Sequence, residues 1–166
     1  ALVGQQDGLV AGGPRIALQL YTVWDQISRD LKGTLKRVAE LGFTHVETAF
    51  WPEGVTHQQA AEHLREAGLT PVSSHIEIPG SPDERRVFME IAKAYGCKRM
   101  IWHGWPEDPR YQTVAGTHQL IRLYNDTSRF AQDYGLSFGL HNHWWEFRNR
   151  PDNRRSEEHT SELQSP

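Results

Sequence analysis

The sequence has almost no cysteine. Cys97 is the single cysteine among 166 residues, which excludes an internal disulfide framework and a zinc cluster built from thiolates. Any metal site would have to use the imidazole and carboxylate side chains of the chain, which contains 9 histidines and 21 acidic residues.

Long apolar runs and a charge excess are also absent. No apolar stretch approaches the roughly 20 residues that a membrane span requires, so we predict no membrane partner. The formal net charge is -3 and both signs are interleaved along the chain, so no basic patch for nucleic acid is expected. These features favour a small-molecule partner. They do not choose between a cytoplasmic and an exported location.

Short apolar runs alternate with helical patterns between residues 15 and 150, which is typical of repeated βα units around a parallel sheet. The strands are predicted at 16–21, 45–49, 71–76, 99–103 and 136–141. Thr56 is a predicted helix N-cap, and Ser81-Pro82 with Glu84 forms the strongest helix start, a capping box. The predicted fold class is α/β, a partial (β/α)₈ TIM barrel with about five strands.

The two ends of the chain are predicted not to belong to this fold. Residues 1–14 are Gly-rich and begin without Met, so we predict that they are disordered or the remnant of a leader or of an expression sequence. Residues 155–165 resemble a sequencing adapter translated in frame, so we predict that 151–166 is a non-native, disordered tail. The predicted domain is therefore 15–150, the N-terminal part of a barrel.

Near the ends of the predicted strands, the ionisable residues occupy alternate positions and are therefore expected on the same face of the sheet. Side chains alternate along a strand, and the inward parity of a barrel meets at its carboxyl end, where active sites of this fold lie. The outward parity is largely apolar. The residues predicted to converge at the barrel mouth are Glu47, His75, His103, His141, His143 and Glu146.

Imidazoles and carboxylates without thiols suit a divalent metal such as Mn²⁺, Co²⁺, Zn²⁺ or Mg²⁺. A metal of this kind would polarise a carbonyl or hydroxyl pair, and a nearby carboxylate or imidazole would move the proton. Tryptophans just past the strand ends would cover the apolar face of a sugar ring. They are Trp51, Trp105, Trp144 and Trp145.

Several motifs resemble the sugar phosphate isomerase/epimerase family with its xylose isomerase-like barrel. They are Leu18 to Thr22, Thr34 to Gly42, Val46-Glu47 and, most specifically, the His-Asn-His-x-x-Glu-Phe motif within 139–147. The resemblance implies a metal-dependent enzyme that transfers a proton next to a carbonyl of a sugar, keto-sugar or inositol. His141 lies at the strand-five position of a family metal ligand, where many members carry Glu, and Glu146 and His143 are alternative ligands. The other family ligands, an Asp, a His and a Glu, come from later strands.

The predicted roles combine the strand pattern with this resemblance. The predicted catalytic residues are Glu47, His75 and Glu146, and the predicted metal ligands are His141 and His143, which form an incomplete site. The predicted substrate-binding residues are Tyr21, Trp51, His103, Trp105 and Trp144.

Three functions are compatible with these residues. The first is a fragment of a sugar isomerase, epimerase or dehydratase that is itself inactive, since five strands leave open edges. The second is an endonuclease IV-like metal phosphodiesterase, which would need a basic groove for DNA. The third is a noncatalytic carbohydrate-binding protein. An oligomer is compatible with all three.

Overall fold

Five parallel strands form a single sheet in which the spatial order follows the chain. The computed structural model describes residues 16–104 and 108–147, and the predicted residues 1–14, 151–166 and Trp105 lie outside these ranges. The strands are β1 (Ala17–Gln19), β2 (His45–Thr48), β3 (Thr70–Ile76), β4 (Arg99–Trp102) and β5 (Ser137–Leu140). Every neighbouring pair is parallel, so the predicted parallel sheet is confirmed.

Helices connect the successive strands. They are α1 (Trp24–Ile27), α2 (Leu31–Glu40), α3 (His57–Glu66), α4 (Pro82–Tyr95) and α5 (Val114–Asp133), with short 3₁₀ turns at Leu20–Val23, Pro109–Gln112 and Trp144–Phe147. Among the described residues, no helix is long and apolar enough to cross a bilayer.

The predicted helix starts are confirmed. The side chains of Thr56 and Ser81 each accept a hydrogen bond from the backbone N–H three residues later. In return, the side chains of Gln59 and Glu84 accept from the backbone N–H of Thr56 and Ser81, which completes a capping box at each helix. The left-handed backbone of Gly96, with φ of 61°, then ends α4. These local signals fix where each helix leaves the sheet.

The core lies between the sheet and the helices. The outward residues of the strands are buried against one apolar stripe of each helix, as the strand parity predicts. The main contributors are Val46, Ile76, Met100 and Trp102 from the strands and Leu35, Val38, Ala60, Leu64, Phe88, Ile91, Leu120 and Tyr124 from the helices. This packing leaves the opposite, polar face of the sheet for a site.

An irregularity in β3 changes the register beside β2. Val46 pairs with Pro71, whereas Glu47 pairs with Ser73, so Val72 is an extra residue on β3. Proline cannot donate to the ladder, and a bulge is a place where a strand tolerates it. The shift places Ser73 alongside Glu47 on the inner face.

Candidate active site at the carboxyl end of the sheet

Four histidines lie in a row across the carboxyl ends of β3, β4 and β5. The ring centroids of His75 and His103 are 6.2 Å apart, those of His75 and His141 are 5.3 Å apart, and those of His141 and His143 are 4.8 Å apart. The structure therefore brings together the imidazoles that the strand parity predicts to converge.

Glu47 and His75 form the most completely hydrogen-bonded pair of the site. The Glu47 carboxylate accepts from Gln19 Nε2 at 2.8 Å and from Ser73 Oγ at 2.5 Å, and its Oε1 lies 3.1 Å from His75 Nε2. The hydrogen bond from His75, opposed by burial and helped by Gln19 and Ser73, lowers the pKa of Glu47 to about 2. Glu47 is therefore ionised at neutral pH, and it is suited to orient His75.

His75 is almost completely enclosed, with 7% of the residue exposed. Its Nδ1 is buried and has no hydrogen-bond partner among the described residues. Its Nε2 lies beside Glu47 and also 3.3 Å from Gln19 Nε2. Nδ1 is therefore the ring nitrogen that does not face Glu47.

His103 has its own carboxylate partner. His103 Nε2 lies 2.8 Å from Glu77 Oε1, and this hydrogen bond is the main reason that the pKa of His103 is raised. Glu77 is not among the residues predicted to converge at the barrel mouth. The structure places it at the site.

His141 is electrostatically different from His103. Burial, together with the nearby His143 and His75, lowers the pKa of His141. The imidazole is therefore neutral at pH 7 and can accept a proton or bind a metal.

His143 is held from two sides. Glu146 Oε2 accepts from the His143 backbone N–H at 2.6 Å, and its Oε1 lies 3.5 Å from His143 Nδ1. Only 5% of Glu146 is exposed, and burial raises its pKa. Glu146, predicted as catalytic, is thus placed where it positions His143.

Gly104 provides the space that the His143 ring occupies. Its φ is 79°, and a Cβ there would lie 2.8 Å from His143 Cε1 and 3.4 Å from the His141 carbonyl oxygen. Both the left-handed backbone and the close ring favour glycine.

Substituting alanine at Gly104 is expected to move His143 and to destabilise the fold by more than about 1–2 kcal/mol, the usual cost of left-handed backbone. Gly54→Ala is the matched control, because Gly54 has φ of 82° but nothing within 4 Å of an added Cβ. Urea unfolding and the imidazole ¹⁵N resonances of His143 measure the two effects. Equal unfolding costs with unshifted resonances would contradict the close packing.

The predicted aromatic residues occupy different places. Tyr21 is 56% exposed and packs edge-on against Phe50, with centroids 6.1 Å apart. Trp144 is 65% exposed. Trp51 donates from Nε1 to Tyr95 Oη at 2.6 Å, which fixes its indole near α4.

Four residues of the site were missed or undervalued by sequence reasoning. Gln19 and Ser73 hold Glu47, Glu77 holds His103, and Phe50 packs its ring 5.1 Å from that of His103. Inward parity could have placed Gln19, Ser73 and Glu77 on the face of the site, but it does not specify which side chains they contact. The contact of Ser73 with Glu47 depends on the bulge, and Phe50 follows the end of β2.

A divalent metal does not fit the described residues alone. No group of three or more His, Cys, Asp or Glu side chains within 16–104 and 108–147 is arranged to hold an ion. The predicted ligands His141 and His143 lie side by side, but Nδ1 of His143 is turned toward Glu146. A metal here would need ligands from outside the described residues.

Comparison with solved structures identifies the fold. The chain is similar to a sugar phosphate isomerase/epimerase from Parabacteroides distasonis, with a TM-score of 0.75, 18% identity and coverage of 99% of this chain and 67% of that one. It is also similar to a xylose isomerase-like TIM barrel protein from Mycobacterium smegmatis in complex with magnesium, with a TM-score of 0.54, 13% identity and coverage of 76% and 54%. No protein-family model and no curated protein matches the sequence.

A third neighbour has a different activity in its name. It is an AP endonuclease, family 2, from Brucella melitensis, with a TM-score of 0.58, 18% identity and coverage of 77% of this chain and 55% of that one. The chain thus spans between about half and two thirds of these neighbours. These neighbours confirm the predicted fold class, because the five parallel strands and their helices match part of a TIM barrel.

Proposed function

We propose that this chain forms one wall of the active site of a barrel enzyme that isomerises or epimerises a sugar, a keto-sugar or an inositol. The observation that supports the proposal most directly is the Glu47–His75 pair at the carboxyl ends of β2 and β3, where enzymes of this fold carry their chemistry. The isomerase/epimerase neighbour supports the reaction class, and its low identity leaves the substrate to experiment.

The proposed reaction moves a proton on the carbon next to a carbonyl. His75 takes the proton at Nδ1, the ring nitrogen that has no hydrogen-bond partner among the described residues. The ionised Glu47, beside Nε2, stabilises the imidazolium that forms, as a carboxylate does in other His–carboxylate pairs. Gln19 and Ser73 donate to Glu47 and keep it oriented. The neutral His141, whose ring lies 5.3 Å from that of His75, is the second candidate acceptor.

The proposal includes three further βα units that close the barrel, because this fold has eight strands and the described sheet has five. Sequencing the source locus with adapters trimmed tests this part. A reading frame that continues past about residue 153 with inward Asp, His and Glu residues would also supply the missing metal ligands. If the natural frame instead ends there, the enzyme proposal is overturned.

The reaction is tested with the full-length protein in deuterium oxide. Ketoses, aldoses and keto-inositols are incubated with the enzyme and each of Mg²⁺, Mn²⁺, Co²⁺ and Zn²⁺, and ¹H NMR follows loss of the signal from the carbon next to the carbonyl. Catalysed exchange with formation of an isomer or epimer is expected for one substrate class.

Two other outcomes would overturn the proposal. Cleavage of duplex DNA at abasic sites, with no sugar exchange, would establish the phosphodiesterase alternative. Sugar binding by calorimetry without exchange under any metal would establish a noncatalytic binding protein.

A further inference from the structure

A cavity of about 480 Å³ opens beside the Glu47–His75 pair, between the carboxyl ends of the strands and α4. Its polar end is lined by His75, Glu77 and His103. These residues belong to the candidate active site, so a molecule held there would have direct access to the cavity. The volume falls within the range of small-molecule sites, roughly 300–1,000 Å³.

The rest of the cavity is mostly apolar. Its walls are formed by Phe50, Trp51, Val55, Val87, Phe88 and Ile91. A single sugar ring presents hydroxyl groups all around its edge, and burying a hydroxyl without a partner costs free energy. The apolar walls therefore suit a group without hydroxyls better than a second sugar.

The cavity walls are held in place before any ligand binds. The Tyr95 hydroxyl group contacts Trp51 Nε1 at 2.6 Å and His57 Nδ1 at 2.9 Å, which fixes one wall. Another part of the wall comes from α4, where Phe88 is 1% exposed and part of the core. A preformed cavity loses little entropy on binding.

The rim of the cavity is acidic. Asp83 and Glu84 line it at the first turn of α4, and Glu84 is held there by the capping box with Ser81. Asp83 lies 3.8 Å from Arg86, which offsets part of its charge. The Glu84 carboxylate is therefore the main group that repels a phosphate or carboxylate on the buried part of the ligand.

We propose that this cavity is a subsite for an uncharged apolar ring, such as a phenyl group, attached to the sugar on which the site acts. The substrate class is then a sugar conjugate with an apolar substituent, not a free sugar. This inference rests on the proposed function for the sugar part. The cavity itself is tested by binding alone.

Binding to the full-length protein is measured by calorimetry with phenyl and methyl β-D-glucopyranosides, the corresponding galactopyranosides, and phenyl phosphate. Each phenyl glycoside is expected to have a Kd at least about tenfold lower than the matching methyl glycoside, because it buries an additional apolar ring. Phenyl phosphate is expected to bind no better than the methyl glycosides.

Val87→Trp is the variant that fills the cavity from the side. Val87 is 39% exposed, so a larger side chain there can enter the cavity without displacing the core. The variant is expected to remove the preference for phenyl glycosides and to leave methyl glycoside affinity within about twofold. Lys93→Trp, on an exposed position of the same helix, is the control and is expected to retain the preference.

Different experimental results would overturn the proposed subsite and the proposed function. Equal affinities for phenyl and methyl glycosides, or a preference that survives Val87→Trp, would overturn the subsite even if the enzyme exchanges deuterium into a sugar. A phenyl preference lost in Val87→Trp supports the subsite even if no exchange is detected, and in that case only the enzyme proposal falls.

Discussion

Glu47→Gln is expected to slow the proposed proton exchange by about 10²- to 10⁴-fold, the usual contribution of acid–base catalysis. The amide keeps the shape of the side chain but removes the charge that stabilises protonated His75. It also replaces one of the two carboxylate oxygens with an NH₂ group, which then faces either Gln19 or Ser73, although each of these residues donates to the carboxylate. Most of the loss is expected in kcat, measured by deuterium incorporation with saturating substrate.

Glu62→Gln is the matched control for this substitution. Glu62 lies on α3 and pairs with Arg65 at 3.2 Å in an exposed salt bridge, so exchange is expected to be unchanged. If Glu47→Gln and Glu62→Gln retain the same rate, Glu47 has no part in the chemistry and the proposed role of the pair is wrong.

The acid stability of the protein should change in the same variant. Folding lowers the pKa of Glu47 from an ordinary value of 4.5 to about 2, so ionised Glu47 stabilises the native state above about pH 4.5 and loses this contribution as the pH falls toward 2. Urea unfolding should therefore show a difference between wild type and Glu47→Gln that is largest at neutral pH and declines in this window. A difference that is independent of pH would contradict the lowered pKa.

The barrel fold and the convergence of the histidines could be predicted because both follow from local rules. Alternation along a strand depends only on residue parity, and the parallel ends of neighbouring strands meet at one edge. His75, His103 and His141 each lie at the end of a different strand, so their approach required only the correct strand assignment.

The partners of these residues could not be predicted in the same way. Ser73 reaches Glu47 because one extra residue on β3 shifts the register, and no periodic pattern encodes a bulge. Phe50 lies just beyond β2, where alternation no longer determines direction. Glu77 lies beyond β3, and its contact with His103 depends on the course of the loop.

The surroundings of a carboxylate determine its pKa, and the sequence alone does not distinguish the two carboxylates of this site. Glu47 and Glu146 are both carboxylates at the barrel mouth, but the pKa of Glu47 is lowered by hydrogen bonds and that of Glu146 is raised by burial. The difference depends on the surrounding donors and on solvent access. Glu146 contacts the backbone of His143 and is better suited to hold this residue than to meet a substrate.

Trp102→Ala is expected to produce the largest loss of stability, about 3–5 kcal/mol, because a fully buried large side chain leaves a cavity. Trp102 is 1% exposed and packs its ring 5.1 Å from that of Tyr124 on the helix side of β4. Urea unfolding measures the cost. Trp144→Ala is the control, since Trp144 is 65% exposed and truncation there is expected to cost within about 0.5 kcal/mol.

Trp102→Phe separates packing from polarity at the same position. The indole Nε1 of Trp102 is buried and has no hydrogen-bond partner among the described residues, and a buried unpaired donor costs about 1–3 kcal/mol. Phenylalanine removes that donor while keeping an aromatic ring against Tyr124, so the relief offsets part of the lost packing. We therefore expect Trp102→Phe to destabilise the protein by less than half as much as Trp102→Ala. If Trp102→Phe and Trp102→Ala cost the same, the phenyl ring recovers no stability. The expectation that removing an unpaired indole N–H offsets part of the lost packing would then be wrong.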